Sequence, residues 1–259
     1  MTKEMRTKIK LKLDPQLSPE TVEFFEIHKD DNIPAYEFAT ALVECDKTVA
    51  MPRCLFDFIV GLYENAIADG NINAMNDLGA LYYDGRGCEQ DFTKAVYYYD
   101  MAAKFGNRQA QENLGYCYYY GRNVPVDYER AFHYFALGAF DGHLISLYKI
   151  GDMYMNGYYV EKNPTEAFNI YERCLETMTD EAALIVAGPV FLRLGDAFLY
   201  GNGTEENAKS ALVCFQKAEL YLFDMVARGE WMYKKSLEDA IEGQEKARAK
   251  MNNLLPTKN

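Results

Sequence analysis

A motif that returns at a fixed interval constrains this chain more than any other feature. Leu78-Gly79 returns 36 residues later as Leu114-Gly115 and again as Ile150-Gly151. Tyr82 returns as Tyr118 and Tyr154, Gly85 as Gly121 and Gly157, Ala95 as Ala131 and Ala167, and Tyr99 as Phe135 and Tyr171. A shift of 44 from the third copy finds Leu194-Gly195, Phe198, Gly201, Ala211 and Phe215. Periods in this range belong to stacked supersecondary units, none of which can bury its apolar face alone. The reading is a solenoid, one continuous domain, with repeats at about 74–109, 110–145, 146–188 and 189–218. Residues 1–73 and 219–259 read as helical caps, the first holding a degenerate repeat in which Val60 to Asn71 matches a second helix.

Each unit splits into two helices. In the first, Ala74, Leu78, Leu81 and Tyr82 share one face. Gly79 sits inside that helix, where glycine costs about 1 kcal/mol relative to alanine. Its return at Gly115, Gly151 and Gly195 predicts close approach of a neighbouring backbone. Gly85 and Gly87 supply the positive φ that ends the helix. Asp91, Asp127, Asn163 and Asn207 are N-cap residues for the second helix, and Asn163-Pro164-Thr165-Glu166 combines cap, N1 proline and N3 glutamate. The second helix presents Ala95, Ala131, Ala167 and Ala211 to its partner.

The pattern L-G-x-x-Y-x-x-G followed by D/N-x-x-x-A-x-x-Y-Y/F resembles the Sel-one-like repeat family, a relative of the tetratricopeptide repeat. The resemblance covers about residues 74–218. It implies an all-α, right-handed superhelical solenoid of antiparallel helix pairs whose concave face binds a protein or peptide, and it implies no reaction. Some secreted relatives carry a regular disulfide in each repeat; the six cysteines here follow no repeat spacing and contain no C-x-x-C.

Outside the repeats the signals are plainer. Lys8 to Leu13 alternates lysine with isoleucine or leucine, and Ser18-Pro19-Glu20-Thr21 starts a helix. Helices follow from Pro34 and from Pro52 to Gly70. Eight extra residues around Thr177 to Val186 separate the third and fourth repeats, with Asp180 a candidate cap and Pro189 a kink or restart. After Ala218 the apolar pattern continues to Gly229, and a last helix runs from Glu230 to about Leu254 with Trp231, Leu237, Ile241 and Met251 among charged residues.

A net charge of −12 argues against nucleic acid as a partner. The apolar run from Ala182 to Leu192 is too short to span a bilayer, and no secretory leader is recognisable, so the expectation is a cytoplasmic protein with no membrane partner. His28, His133 and His143 do not share a face at metal-ligand spacing, and the Gly85-Arg86-Gly87 and Gly201-Asn202-Gly203 turns lack a following Gly-Lys-Ser/Thr. No catalytic residue, metal site or cofactor is assigned, and a small-molecule substrate is disfavoured.

Binding residues are read relative to the L-G pair, since in the tetratricopeptide fold the first helix of each pair lines the groove. Before it stand Asp77, Asn113, Lys149 and Arg193; after it, Ala80, Tyr116, Asp152 and Asp196; three further on, Tyr83, Tyr119, Met155 and Leu199. These rows suggest a groove with Tyr116 and Tyr119 as anchors and Lys149 and Arg193 as donors to a carboxylate, unless Asp152 and Asp196 neutralise them. The function implied is a non-enzymatic adaptor. On this reading Tyr116→Ala or Lys149→Glu reduces partner capture without changing stability. The rivals are a hydrolase, by analogy with cysteine-rich relatives, and a self-assembling structural protein.

Overall fold

The computed structural model describes residues 16–28, 31–45 and 51–253; the readings for Lys8 to Leu13 and for the last residues lie outside these. Among the described residues there are twelve α-helices and no β-strand. They are α1 (Pro19–Ile27), α2 (Ala35–Cys45), α3 (Arg53–Ala68), α4 (Ile72–Asp84), α5 (Phe92–Lys104), α6 (Arg108–Tyr120), α7 (Tyr128–Phe140), α8 (Leu144–Asn156), α9 (Pro164–Glu176), α10 (Asp180–Tyr200), α11 (Ala208–Ala227) and α12 (Lys234–Asn253). A 3₁₀ turn, Trp231–Tyr233, precedes α12. The architecture is an all-α solenoid of antiparallel helix pairs, arranged as two compact units, Met1–Asp127 and Tyr128–Asn259.

The turn inside each pair has one construction. The first helix ends on a left-handed glycine at Gly85, Gly121, Gly157 or Gly201, with φ of 70, 68, 74 and 68°. Six residues later the backbone N–H of Asp91, Asp127, Asn163 or Asn207 donates to the carbonyl of the periodic aromatic, Tyr82, Tyr118, Tyr154 or Phe198, at 2.8–3.0 Å. The side chains of Asp91, Asn163 and Asn207 then accept from the N–H three residues on. Orphan donors at the start of the second helix and an orphan carbonyl at the end of the first are satisfied together.

The mid-helix glycines admit more than the neighbouring backbone that was expected. A Cβ on Gly79 would stand 2.8 Å from the Tyr99 ring; on Gly151, 2.6 Å from Tyr171; on Gly195, 2.6 Å from Phe215. The nearest neighbour is an aromatic ring of the second helix, and at Gly79 its backbone is close as well, with the Ala95 carbonyl oxygen 3.3 Å from the same point. Phe215 is held from both sides, because a Cβ on Gly243 of α12 would also lie 2.6 Å from its ring.

The fourth pair departs from the frame. The helices of the first and third pairs have 13 residues each, whereas α10 has 21 and α11 has 20. The eight extra residues are therefore helix, capped by Thr179 and not by Asp180, and the chain neither kinks into two helices nor restarts at Pro189. Proline removes one donor to the Ile185 carbonyl, and Ile185 lies at the surface, where water can serve that oxygen. By length and composition α10 could cross a membrane, with mean hydropathy 1.7 over its most apolar window. Its apolar residues Val186, Val190, Leu194 and Ala197 have another employment, as core of the second unit.

Position 218, read as the end of the repeats, falls inside α11, whose Leu222 and Met225 continue the core. Helix α12 buries Ala240, Gly243, Gln244 and Ala247, while its apolar Ile241 is exposed. At the other end α1–α3 pack through Phe24, Phe25, Phe38 and Phe58.

Because the Phe215 ring cannot retreat from either helix, Gly195→Ala is expected to cost about 2 kcal/mol through overpacking, despite the better helix propensity of alanine. Thermal unfolding followed by circular dichroism should show a fall of about 4 °C or more; an unchanged melting temperature would contradict the packing described.

Candidate functional site

The three rows named from sequence do not all face outward. In the first unit Asp77 is half-buried and accepts from Tyr36 Oη at 2.9 Å and from Asn76 Nδ2 at 3.1 Å. Asn113 Nδ2 donates to Asn76 Oδ1 at 3.0 Å, so α2, α4 and α6 are joined by a side-chain ladder. Ala80 is half-buried. Tyr83 is half-buried and packs edge-on against Phe92 and tilted on Tyr99. Tyr116 stacks on Tyr120, Tyr119 meets Tyr120 edge-on, and the Arg122 guanidinium lies 5.9 Å from the Tyr120 centroid. Tyr120 itself is 48% exposed.

In the second unit the row positions converge on a buried charge cluster. Lys149 and Asp152 keep only 5% and 7% of their surface. Asp152 takes Arg193 in bidentate fashion, through Nε on Oδ1 and through Nη2 on Oδ2 at 2.6 Å. Lys149 Nζ is 3.4 Å from Oδ2, and Tyr171 Oη donates to Oδ1 at 2.9 Å. The Tyr148 ring lies 4.8 Å from the Arg193 guanidinium and 5.4 Å from the Lys149 ammonium. Arg193 also donates to the Pro189 carbonyl. Desolvation alone would raise the Asp152 carboxyl, but the charge and hydrogen bonds of Arg193, then Lys149 and Tyr171, hold it below the usual carboxylate range.

The carboxylate clamp is thereby overturned: the two cations already hold a carboxylate from their own chain. Lys149→Glu would bury a second negative charge beside Asp152 and is expected to destabilise the fold, contrary to the sequence reading. Leu199, at 1% exposure, belongs to the core, and Met155 packs on its margin.

Asp196 behaves differently from Asp152 although the period places them alike. Solvent reaches part of its surface, yet desolvation and the like charge of Asp239 on α12 raise its carboxyl to about 6. The aromatic over Gly151 is Tyr171, which brings a hydroxyl to Asp152; the aromatic over Gly195 is Phe215, which has none to bring to Asp196.

One surface group escaped the rows. Tyr159 is 50% exposed and has φ 63°, in the left-handed region, at the place where the period puts Gly87, Asn123 and Gly203. A tyrosine there costs on the order of 1 kcal/mol. Its ring contacts Phe132 and His133, and Tyr128 stacks on Tyr158 at 4.3 Å. The signal was available: a bulky residue at a periodic glycine or asparagine position.

The helix pairs, their glycine turns and their ring-on-glycine contacts define a helix-pair repeat protein. The Sel1 repeat model matches residues 72–107, 108–143, 144–173 and 192–219, and the chain belongs to the Sel1 repeat family. It is similar in structure to a Sel1 repeat protein from Oxalobacter formigenes, with TM-score 0.59 and 20% identity, covering 96% of this chain and 99% of that one. It is also similar to a protective antigen of uropathogenic Escherichia coli strains that displays an SLR fold, with TM-score 0.53 and 20% identity over 95% of this chain and 56% of that one. At these identities the likeness is one of fold. Comparison with curated proteins gave no match.

Removing the Asp152 charge strands two buried cations, so Asp152→Asn is expected to cost about 3–5 kcal/mol at pH 7, read by urea unfolding. Asp152 has a depressed pKa, so its stabilisation is present above about pH 4 and is lost on acidification below that. Asp196 has the opposite sign. Its raised pKa makes ionisation costly in the folded state, so Asp196→Asn should stabilise increasingly from pH 4 to pH 6 and keep that gain at pH 7. Melting temperatures across this range that show no such trend would remove the Asp196 assignment.

Proposed function

We propose that the protein is a non-catalytic scaffold that binds a protein or peptide through exposed tyrosine clusters. The reading rests on the Sel1 repeat fold and on one observation: tyrosines gather at the turns between paired helices, outside the ring-on-glycine core. Tyr116, Tyr119 and Tyr120 form one cluster in the first unit; Tyr128, Tyr158 and Tyr159 form another in the second. Tyrosine offers large contact area with few rotors and a polar tip, which suits recognition. The strained backbone of Tyr159 supports a role for its side chain, because glycine would meet the local geometry at no steric cost.

The charged rows contribute to this surface indirectly. With Lys149, Arg193 and Asp152 satisfied among themselves, and Asp77 and Asn113 tied into a ladder, selectivity is assigned to aromatic contact and not to capture of a free carboxylate. A cytoplasmic location is part of the proposal. It is supported by six cysteines that are all free thiols, of which Cys117 and Cys174 are pushed up to about 12 by burial.

The immobilised full chain, exposed to extract from its native source and read by quantitative mass spectrometry, tests this. Tyr120→Ala and Tyr159→Gly should each lose most of the proteins that the unaltered chain retains. Tyr159→Gly should melt no lower than the parent, because strain relief offsets the lost ring contacts. Equal retention by both variants would sink the tyrosine surfaces.

A further inference from the structure

Glycines in this fold have two visible uses. Turn glycines adopt positive φ; Gly79, Gly138, Gly151, Gly188, Gly195 and Gly243 each receive a neighbouring side chain within 3 Å of where a Cβ would stand. Gly61 has neither use. It lies in the middle of α3, without positive φ, and no described atom comes within 4 Å of its Cβ position. One period later the same place holds Tyr97, which is exposed. The glycine penalty is thus accepted at Gly61 with nothing in the described fold to fill the notch it makes.

The notch opens into a cleft of about 820 Å³ between α3 and the loop at 32–35. Ile33, Phe58 and Leu62 give it an apolar lining, and Asp57, Glu64 and Asp69 line it with carboxylates; among the described residues no basic side chain does. Asp57 is paired with Arg53 at 2.8 Å, while Glu64 and Asp69 bring negative charge to the cleft. An apolar slot with a notch and acidic walls has a complement: a large flat side chain with positive neighbours.

We propose that this cleft docks a partner-protein segment that carries one aromatic side chain flanked by lysine or arginine. The ring seats over Gly61 as the rings of Tyr99, Tyr171 and Phe215 seat over Gly79, Gly151 and Gly195. The flanking cations meet Glu64 and Asp69, which set orientation and encounter rate. The cleft volume falls in the range of pockets that enclose a side chain and its flanking backbone. This surface is separate from the tyrosine clusters and stands or falls independently of them.

The test uses the full chain against immobilised heptapeptides with Phe, Tyr, Trp or Ala at the centre and Lys or Glu at the flanks. Binders are then measured by fluorescence anisotropy. Lys-flanked aromatic peptides should bind at least about tenfold tighter than Glu-flanked or Ala-centred ones, near the discrimination of one desolvated ring. Gly61→Ala and Glu64→Lys should each weaken that binding about tenfold. Gly61→Ala should also melt about 2 °C higher, since alanine gains helix propensity where there is space. The proposal is overturned if Phe- and Ala-centred peptides bind alike, if Gly61→Ala leaves binding unchanged, or if nothing binds. It is overturned also if binding emerges only when Lys8, Lys10 and Lys12 are all replaced by Glu, because the occupant is then the chain's own basic segment.

Discussion

An aromatic ring pressed onto a glycine is the contact on which the first, third and fourth helix pairs depend. Tyr99 on Gly79, Tyr171 on Gly151 and Phe215 on Gly195 bring two helices to a distance that any side chain at the glycine would forbid. The helix pays about 1 kcal/mol for the glycine and recovers it through the many close contacts of a buried ring. The alanine one turn before each ring, Ala95, Ala167 or Ala211, is fully buried and keeps the second helix equally close. Everything periodic in the chain follows from these contacts and from the glycine turn that aims the second helix back along the first. The residues beside the glycine are free to vary, and they carry the chemistry that differs between repeats.

The most local parts of this design were legible in sequence. Cap residues, left-handed glycines and helix pairing follow from backbone needs that a single stretch of chain reveals. The reason for the mid-helix glycines was read only in part, as close approach of the partner backbone, because the ring 20 residues away that comes nearest is a tertiary fact. The pairing of Asp152 with Lys149 and Arg193 was legible as the alternative to a carboxylate clamp, but its burial and geometry were not, for a similar reason. Lys149 and Arg193 are 44 apart and look alike in a repeat alignment, yet one carboxylate, Asp152, serves both. Helix α12 hid its buried face from a hydrophobic reading because that face is Ala240, Gly243, Gln244 and Ala247, chosen for size and not for apolar bulk. Tyr159 was legible but unread, since only its place in the period marks it as out of character.

Asp152 and Asp196 illustrate how equivalent positions of a repeat acquire opposite electrostatics from different neighbours. Both follow the glycine of their repeat. Arg193 above all, then Lys149 and the Tyr171 hydroxyl, hold Asp152 ionised; Asp196, desolvated and facing Asp239, resists ionisation.

The long fourth pair shows what a stacked architecture permits. Its additional turns are added at the start of α10 and the end of α11, away from the glycine that sets the spacing, and the two helices grow by nearly equal amounts. About 12 Å of extra rod, at 1.5 Å per residue, is gained without shifting a single ring from its notch. Such a fold can lengthen one pair and line the added turns with new core, as Val186, Leu222 and Met225 do here, while the first and third pairs keep helices of 13 residues.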